Sequence, residues 1–214
     1  MSNNKAPEEH GEFRTLAGPG TAEIRVLGSR FLGFALPVTS EQEISDRLTE
    51  RSRAFHDATH HCSAWILGAE RREHSSDAGE PHGTAGAPIL RAIQAADLTD
   101  VLVIVTRYFG GTKLGKGNLA RAYHTCASEA LEAAPKKVIR RLLKFIVEVP
   151  YDDIGKLYTL ANRSNWEIIP NDSAKGGRFE LRVQISEGED VVRQVNNATA
   201  GRASCVEDGF WISR

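Results

Sequence analysis

The stretch "VLVIVTRYFGGTKLGKGNLARAY", residues 101–123, joins an apolar run to a loop of glycines and lysines and then to an alanine-rich segment. The unbroken apolar run from Val101 to Val105 is typical of a buried strand. The alanine-rich segment predicts a helix that continues to Pro135. We therefore expect the chain to pass here from a buried strand through a glycine-rich turn into a helix.

The glycine loop has part of the pattern of a phosphate-binding loop. Gly110, Gly115 and Lys116 match the G-x-x-x-x-G-K portion of a Walker A motif, and a strand precedes them as that motif requires. The next residue, however, is Gly117 and not the Ser or Thr whose hydroxyl holds magnesium. The preceding strand ends in Thr-Arg at 106–107 rather than in an acidic residue. The sequence therefore argues against nucleotide hydrolysis by this loop.

A simpler reading of the loop is an anion site. Backbone N–H groups at the start of a helix favour an anion, because the helix dipole is positive at that end. Neighbouring cations can surround such an anion, and an aromatic ring beside it can stack a base. Two alternatives remain open: the glycines only permit positive φ in a tight turn, and the aromatic rings only close the core. The candidate anion- or RNA-binding residues are Arg107, Tyr108, Phe109, Gly110, Gly111, Lys113, Gly115, Lys116 and Arg121.

The segment 69–86 is a second candidate site. It is polar, rich in glycine and without periodicity, and loops of this length are often functional. Asp77, Glu80 and His82 have the chemistry of an acid, a base or a magnesium ligand, although acidic residues in loops are more often only solvated. The run His-His-Cys at 60–62 alternates faces of a predicted strand, so its members cannot all bind one metal ion. We expect no catalytic residue, no metal site and no cofactor.

Composition limits the class of protein. With 214 residues, 41% hydrophobic and 26% charged, the chain is typical of a globular protein with one large domain or two small ones. A formal net charge of −1 argues against a uniformly basic nucleic-acid-binding surface, but not against a local basic face. Three cysteines without C-x-x-C spacing predict free thiols and a reducing compartment. Residues 1–20 are polar, and no apolar run approaches the length of a membrane span. We therefore expect a soluble cytoplasmic protein with a disordered tail over residues 1–20.

The region before the second candidate site contains several predicted elements. Two β-prone runs over 22–38, interrupted by a glycine, predict a hairpin or a kinked strand. Ser40 and Glu43 have capping-box spacing, and the apolar residues behind them keep a helical period, which predicts a helix over 40–55. The run at 61–68 then predicts a strand.

The remaining pattern divides the chain into two domains. Pro88 suits the first turn of a helix that carries apolar residues as far as Leu98, and this helix belongs to a first domain over 21–138. Residues 139–214 predict strand, helix, strand, strand, helix and strand, which is the ferredoxin-like order. We therefore expect an α+β protein whose second domain, 139–214, is a ferredoxin-like βαββαβ domain.

Three stretches together resemble the signature sequences of one protein family. They are "HHCSAWILG" at 60–68, "SSDAGEPHGTAGAPIL" at 75–90 and "VIVTRYFGGTKLGKGNLARAY" at 103–123. In this order they are similar to the IMPACT family, including its bacterial YigZ-type members, and the resemblance extends from about residue 21 to the end of the chain. Asn118 departs from the pattern, since many relatives carry glycine there.

The resemblance implies a fold and a function. The N-terminal domain is expected to be a ribosomal-protein-like βαβ domain similar to domain IV of elongation factor G, and the C-terminal domain to be similar to domain V of that factor. Both of those domains contact RNA or the ribosome, and eukaryotic members of the family regulate translation through a eukaryotic protein partner. We therefore expect a non-enzymatic RNA- or ribosome-associated protein in translation or its regulation, which binds phosphate through the glycine and lysine loop. A regulatory adaptor that binds a protein partner, and an enzyme that acts on a phosphorylated small molecule, are the alternatives.

Overall fold

The computed structural model of the chain describes residues 11–68, 71–171 and 177–213. The chain divides into two compact units. One unit is Phe13–Val138, and the other contains the described residues from Ile139 onward together with Gly11 and Glu12. Each unit contains a hydrophobic core of its own.

The first unit is built on an antiparallel sheet with helices on both faces. The helices and strands from Glu12 to Ala133 are β1 (Glu12–Leu16), β2 (Gly20–Val26), β3 (Ser29–Pro37), α1 (Glu41–Ala54), β4 (His60–Leu67), β5 (Arg72–Ser76), α2 (Gly86–Ala95), β6 (Val101–Tyr108) and α3 (Lys116–Ala133). Strands β2, β3, β6, β4 and β5 lie side by side in that order, and each neighbouring pair is antiparallel.

Strand β6 lies at the centre of this sheet. Val103 and Val105 pack into the core that α2 and α3 form, whereas Leu102 and Ile104 pack into a second cluster with Ile44 of α1. Because successive side chains of a strand point to opposite faces, a strand that is covered on both faces is apolar throughout. The predicted buried strand is confirmed, and it ends at Tyr108.

The second unit has a sheet of its own. Its helices and strands are β7 (Lys136–Val149, which begins at the end of the first unit), α4 (Ile154–Arg163), β8 (Glu167–Asn171), β9 (Gly177–Val183), α5 (Gly188–Thr199) and β10 (Ser204–Ile212). The antiparallel strands lie in the order β10, β7, β9, β8. Phe145, Leu157, Leu181 and Val191 are among the buried residues of its core. The predicted succession of strand, helix, strand, strand, helix and strand is the succession found, and the chain is an α+β protein.

Strand β1 corrects one prediction. It begins at Glu12, and its last residue, Leu16, is fully buried, so the expectation of a disordered tail is wrong for this stretch. Residues 1–10 lie outside the described residues. The N–H of Thr99 donates to the carbonyl of Arg14 at 3.0 Å. Backbone hydrogen bonds of this kind do not depend on an apolar pattern, which is why the polar sequence concealed the strand.

Strand β5 corrects a second prediction. The interpretation of 69–86 as one long loop is wrong at Arg72–Ser76, which pairs with β4 at the edge of the sheet. Edge strands carry charged and polar side chains on their solvated side, and REHSS does so. The turn that remains runs from 77 to 85. The helix that begins near Pro88 was expected to extend to Leu98. In the structure α2 ends at Ala95, and Leu98 is buried beyond its end.

The cysteines are free thiols, as predicted. Burial raises the pKa of Cys62 and of Cys126 to about 12 and that of Cys205 to about 11. All of them are therefore protonated at neutral pH, and thiols in this state are poor nucleophiles. Among the helices that the structure describes, none is long and apolar enough to cross a bilayer.

Candidate functional site

The glycine loop leads directly into the N-terminus of α3. Gly115 is the N-cap residue, with φ +74° and ψ 155°, and none of the described side chains caps the helix. The first turn contains no acidic residue, while Lys113 and Lys116 are exposed on either side of the cap. Leu114 between them is buried and anchors the loop. The positive end of the α3 dipole is therefore open to solvent and carries two lysines.

Arg121 lies one turn further along α3 and is also exposed. Its guanidinium donates to the Asn118 side-chain oxygen at 2.6 Å, and the Asn118 amide donates to the carbonyl of Leu114 at 2.9 Å. Asn118 therefore joins the loop to the helix and holds Arg121 near the helix start. The sequence did not suggest this role, because Asn118 was notable there only as an asparagine at a position where many members of the similar family carry glycine.

Arg107 does not lie on this surface, which corrects its assignment to the anion site. It is 5% exposed, and its Nη1 donates to Oε1 of Glu80 at 2.6 Å. Its Nη2 lies 3.3 Å from the Ser29 hydroxyl. The charge of Arg107 is thus neutralised inside the unit, because the side chain points inward from β6 toward the turn that carries Glu80.

Gly110 also has a structural role. Its N–H donates to the Ser29 hydroxyl at 3.2 Å, so this donor is not available to an anion. A side chain at position 110 would collide with the backbone of Gly28 in the β2–β3 turn. Glycine is therefore required here by a close approach of two backbones. Gly111, by contrast, has φ +85° and open space around it.

The two aromatic candidates differ in their surroundings. Tyr108 is half-buried, and its hydroxyl donates to Asp57 at 2.8 Å. This hydrogen bond is the main reason why the pKa of Tyr108 is raised and that of Asp57 is lowered. Phe109 is 47% exposed at the end of β6. Of the two, Phe109 has the more exposed ring, and the Arg107 guanidinium lies 5.6 Å from its centroid.

Asp77 is a helix cap. Its carboxylate accepts the N–H groups of Gly83, Ala85 and Gly86 at 2.8, 3.0 and 2.9 Å, the last of these at the start of α2. Burial opposes ionisation of Asp77, but the three donors outweigh it and lower its pKa. These contacts hold the carboxylate in its ionised form and give Asp77 a structural role in the turn. His82 is fully exposed, and its Nδ1 lies 3.7 Å from Oδ2 of Asp77.

Glu80, from the second candidate site, hydrogen-bonds to residues of β6 and α3. Its Oε1 accepts both Nη1 of Arg107 and, at 2.7 Å, the hydroxyl of Tyr123 on α3. Burial is the main reason why the pKa of Tyr123 is strongly raised, and its neighbour Cys62 adds to the shift. Tyr123 is not among the residues that the sequence suggested. The available signal was its position four residues after Leu119, which places a polar hydroxyl on the buried face of α3.

The histidines near this cluster lie on opposite faces of β4. His60 Nδ1 is 2.8 Å from the carbonyl of Ala78, and its Nε2 is 4.0 Å from Oε1 of Glu80. His61 lies on the other face, 3.2 Å from the hydroxyl of Thr106. Among the residues that the structure describes, no three His, Cys, Asp or Glu side chains are grouped so that they could hold a metal ion.

A groove of about 500 Å³ lies in the second unit between α4 and α5. Its lining combines polar and apolar residues and includes Lys156, Thr159, Leu160, Arg163, Gln194 and Asn197. None of the candidate residues suggested by the sequence contributes to it.

Comparison with known proteins places these features in a family. The family model described as the Impact N-terminal domain matches residues 27–131. An IMPACT family member of Thermus thermophilus is 39% identical over 81% of this chain and 95% of that protein. The IMPACT family member YvyE of Bacillus subtilis is 32% identical over 92% of this chain and 91% of that protein. The IMPACT family member YigZ of Escherichia coli is 32% identical over 73% of this chain and 78% of that protein.

A solved structure has a similar fold. The crystal structure of a hypothetical protein aligns with a TM-score of 0.64 and 23% identity, over 92% of this chain and 97% of that chain. At this level of identity the likeness concerns the fold alone.

Proposed function

Since the chain belongs to the IMPACT family, we propose that it is a non-enzymatic RNA- or ribosome-associated protein that acts in translation or its regulation. In this proposal the surface at the start of α3 binds phosphate. It consists of Gly111, Lys113, Gly115, Lys116 and Arg121, and we name it the α3 surface.

One observation carries the proposal. Within the part of the chain that the structure describes, the N-terminus of α3 has no side-chain cap and no acidic residue in its first turn, and exposed lysines flank it. Helices normally satisfy their first N–H groups with a side chain, as Ser40 does for α1, so an open N-terminus beside cations is suited to an anion from outside. RNA presents a row of such anions.

The two folds expected from the resemblance are part of the proposal. β3 and β4 are joined by α1 and both pair antiparallel with β6 between them, which supports a βαβ domain like domain IV of elongation factor G. The strand order β10, β7, β9, β8 supports a ferredoxin-like domain like domain V of that factor. The resemblance of these domains to ribosome-binding domains is the reason for preferring RNA over other anions.

Binding of RNA at different salt concentrations tests the proposal. Replacing both Lys113 and Lys116 with Ala should lower the affinity for a single-stranded RNA oligonucleotide by about 1–3 kcal/mol and flatten the salt dependence by about two units. The matched control is the double replacement of Lys136 and Lys137, two exposed lysines of β7, by Ala. The control removes the same charge away from the α3 surface. Equal affinity of the two double variants would contradict the proposal.

Two further measurements address the alternative functions. Co-sedimentation with ribosomes should be lost when the ribosomes are treated with RNase, whereas an adaptor that binds a protein would remain bound to that protein. Magnesium-dependent release of phosphate from a nucleotide by the unmodified protein would contradict the non-enzymatic assignment. We expect none, since Gly117 offers no hydroxyl for magnesium.

A further inference from the structure

We propose that the RNA bound at the α3 surface carries an unpaired base that stacks on Phe109, so that the site selects single-stranded over duplex RNA. This inference rests on the proposed function. It adds the class of RNA and the residue that selects it.

Phe109 is a large hydrophobic residue whose side chain is exposed to solvent and not buried in the core. In the part of Phe13–Val138 that the structure describes, the exposed large hydrophobic residues are Leu27, Phe109 and Val138. Leu27 and Phe109 belong to the same end of the sheet, because their neighbours Gly28 and Gly110 pack backbone against backbone. The chain continues from Phe109 directly into the loop of the α3 surface. An exposed apolar ring therefore lies at the start of the loop that carries Lys113 and Lys116.

The backbone around Phe109 is restrained by several contacts. The N–H of Phe109 donates to the hydroxyl of Thr59 at 3.0 Å, and the N–H of Gly110 donates to the hydroxyl of Ser29 at 3.2 Å. The close contact of Gly110 with Gly28 adds a third restraint. A ring on a fixed backbone loses little conformational entropy when a ligand binds, and such preorganisation raises affinity.

A buried cation lies on the inner side of the ring. Cζ of Arg107 is 5.6 Å from the centroid of Phe109 and 5.4 Å from that of Phe31. The guanidinium of Arg107 contacts Glu80, Ser29 and the two rings. Its Nε has no hydrogen-bond partner among the described residues. Because the Arg107 charge is paired with Glu80, it contributes little to phosphate attraction. Phe109 should therefore act through stacking, which is insensitive to salt.

Other aromatic residues near exposed surface are less suited to stacking. The hydroxyl of Tyr108 is bound to Asp57 and its ring is half-buried. In the second unit, the ring of Phe210 is covered by the Arg141 guanidinium at 3.6 Å. Tyr151 is 74% exposed but belongs to the second unit, outside the α3 surface. It provides a matched control.

Substitutions at Phe109 test the inference with a single-stranded RNA oligonucleotide and its duplex as probes. Phe109→Leu should weaken binding of the single strand by between about 5-fold and about 150-fold, which is the range for loss of one stacked base, and leave the salt slope unchanged. Phe109→Trp should retain the affinity, and Tyr151→Leu should not change it. Binding of the duplex should be the same in all of these variants. A 2-aminopurine in the strand should lose its stacking-dependent quenching in Phe109→Leu alone.

The outcomes separate this inference from the proposed function. If the lysine double variant loses affinity while Phe109→Leu binds the single strand as the unmodified protein does, the stacking inference is wrong and the proposed function stands. If neither variant changes RNA binding, both are wrong. If Phe109→Leu abolishes binding to ribosomes but leaves binding of the oligonucleotide unchanged, Phe109 contacts a protein, and the inference is overturned. Thermal unfolding of Phe109→Leu shows whether this variant is folded. If it is not, the affinities of Phe109→Trp for the single strand and for the duplex are compared with those of the unmodified protein instead.

Discussion

At the residue scale, two glycines at the start of α3 differ in how strictly the backbone requires glycine. Gly115 has φ +74° and ψ 155°, a region of backbone space that side chains with a Cβ almost never adopt. Gly117 lies in the first turn of α3, its φ is not in the left-handed region, and a Cβ there would meet nothing within 4 Å. The α3 surface therefore depends on glycine at one of these positions and not at the other.

This difference predicts the effect of two matched substitutions. Gly115→Ala should lower the free energy of unfolding by about 1–3 kcal/mol, because alanine is strained in this conformation. Gly117→Ala should leave stability unchanged or raise it by up to about 1 kcal/mol, because alanine restricts the unfolded chain without strain in the folded one. Urea unfolding of both variants measures these values. Equal effects would mean that Gly115 does not hold the conformation described.

The buried pair of Glu80 and Arg107 also acts at the residue scale. Their side chains are 3% and 7% exposed, so removal of one partner leaves an unpaired charge in the interior. Arg107→Met should therefore lower the free energy of unfolding by about 3–5 kcal/mol. The double variant Glu80→Gln with Arg107→Met should be less destabilised than the sum of the single variants, which a double-mutant cycle in urea would measure. Strict additivity would contradict a direct interaction.

At the scale of elements, the helices of the first unit begin in three different ways. At α1 the Ser40 hydroxyl accepts the N–H of Glu43 at 3.2 Å, as the capping-box spacing predicted. The Glu43 carboxylate reaches back to the N–H of Thr39 at 2.9 Å rather than to that of Ser40. α2 is capped from the preceding turn by Asp77, and α3 has no side-chain cap. The start of α3 is thus the one that is open to a ligand among these three.

The contributions of the Asp77 and Ser40 caps to stability should depend differently on pH. Asp77→Ala and Ser40→Ala should each lower stability by about 1 kcal/mol at neutral pH, because each loses a cap. The pKa of Asp77 is lowered by folding, so its contribution is fully present above the ordinary aspartate pKa of about 3.9. The contribution is lost as the pH falls below that value through the folded pKa. Thermal unfolding from pH 7 down to pH 3 should show the Asp77→Ala deficit shrinking while the Ser40→Ala deficit stays constant.

At the scale of the whole molecule, the chain forms two units with separate cores. The buried residues of the second core lie between Leu143 and Ala203, so none of the described residues of Phe13–Val138 belongs to it. A domain with its own core is expected to fold alone. The division between Val138 and Ile139 falls within β7, which begins at Lys136.

A fragment that begins at Lys136 and ends with the chain should therefore fold cooperatively. Its amide resonances should be dispersed, and its circular dichroism should show a single unfolding transition. The fragment lacks Gly11, whose carbonyl accepts the N–H of Arg141, so we expect it to be somewhat less stable than the same unit in the full chain. Adding residues before Phe13 through a second peptide should not be required for folding. A fragment without amide dispersion would show that this unit depends on the first.

The sequence by itself determined the features that depend on near neighbours along the chain. The buried strand of 101–108, the alanine-rich helix before Pro135 and the Ser40 cap were predictable, because hydrophobic period, helix propensity and cap spacing act over a few residues. The open glycine turn before α3 belongs to the same class. The signature stretches also identify the family without any knowledge of the fold.

Only the tertiary structure decided which of the candidate residues are exposed. Arg107 is charged and adjacent to the loop in sequence, yet it is buried because its partner Glu80 lies 27 residues away on the turn beside it. Asp77 became a cap because the start of α2 folds back onto it, and the polar strands β1 and β5 formed because partner strands offered hydrogen bonds. In each case the stabilising contact is with a residue that is distant along the chain, and the local sequence alone does not indicate such a contact.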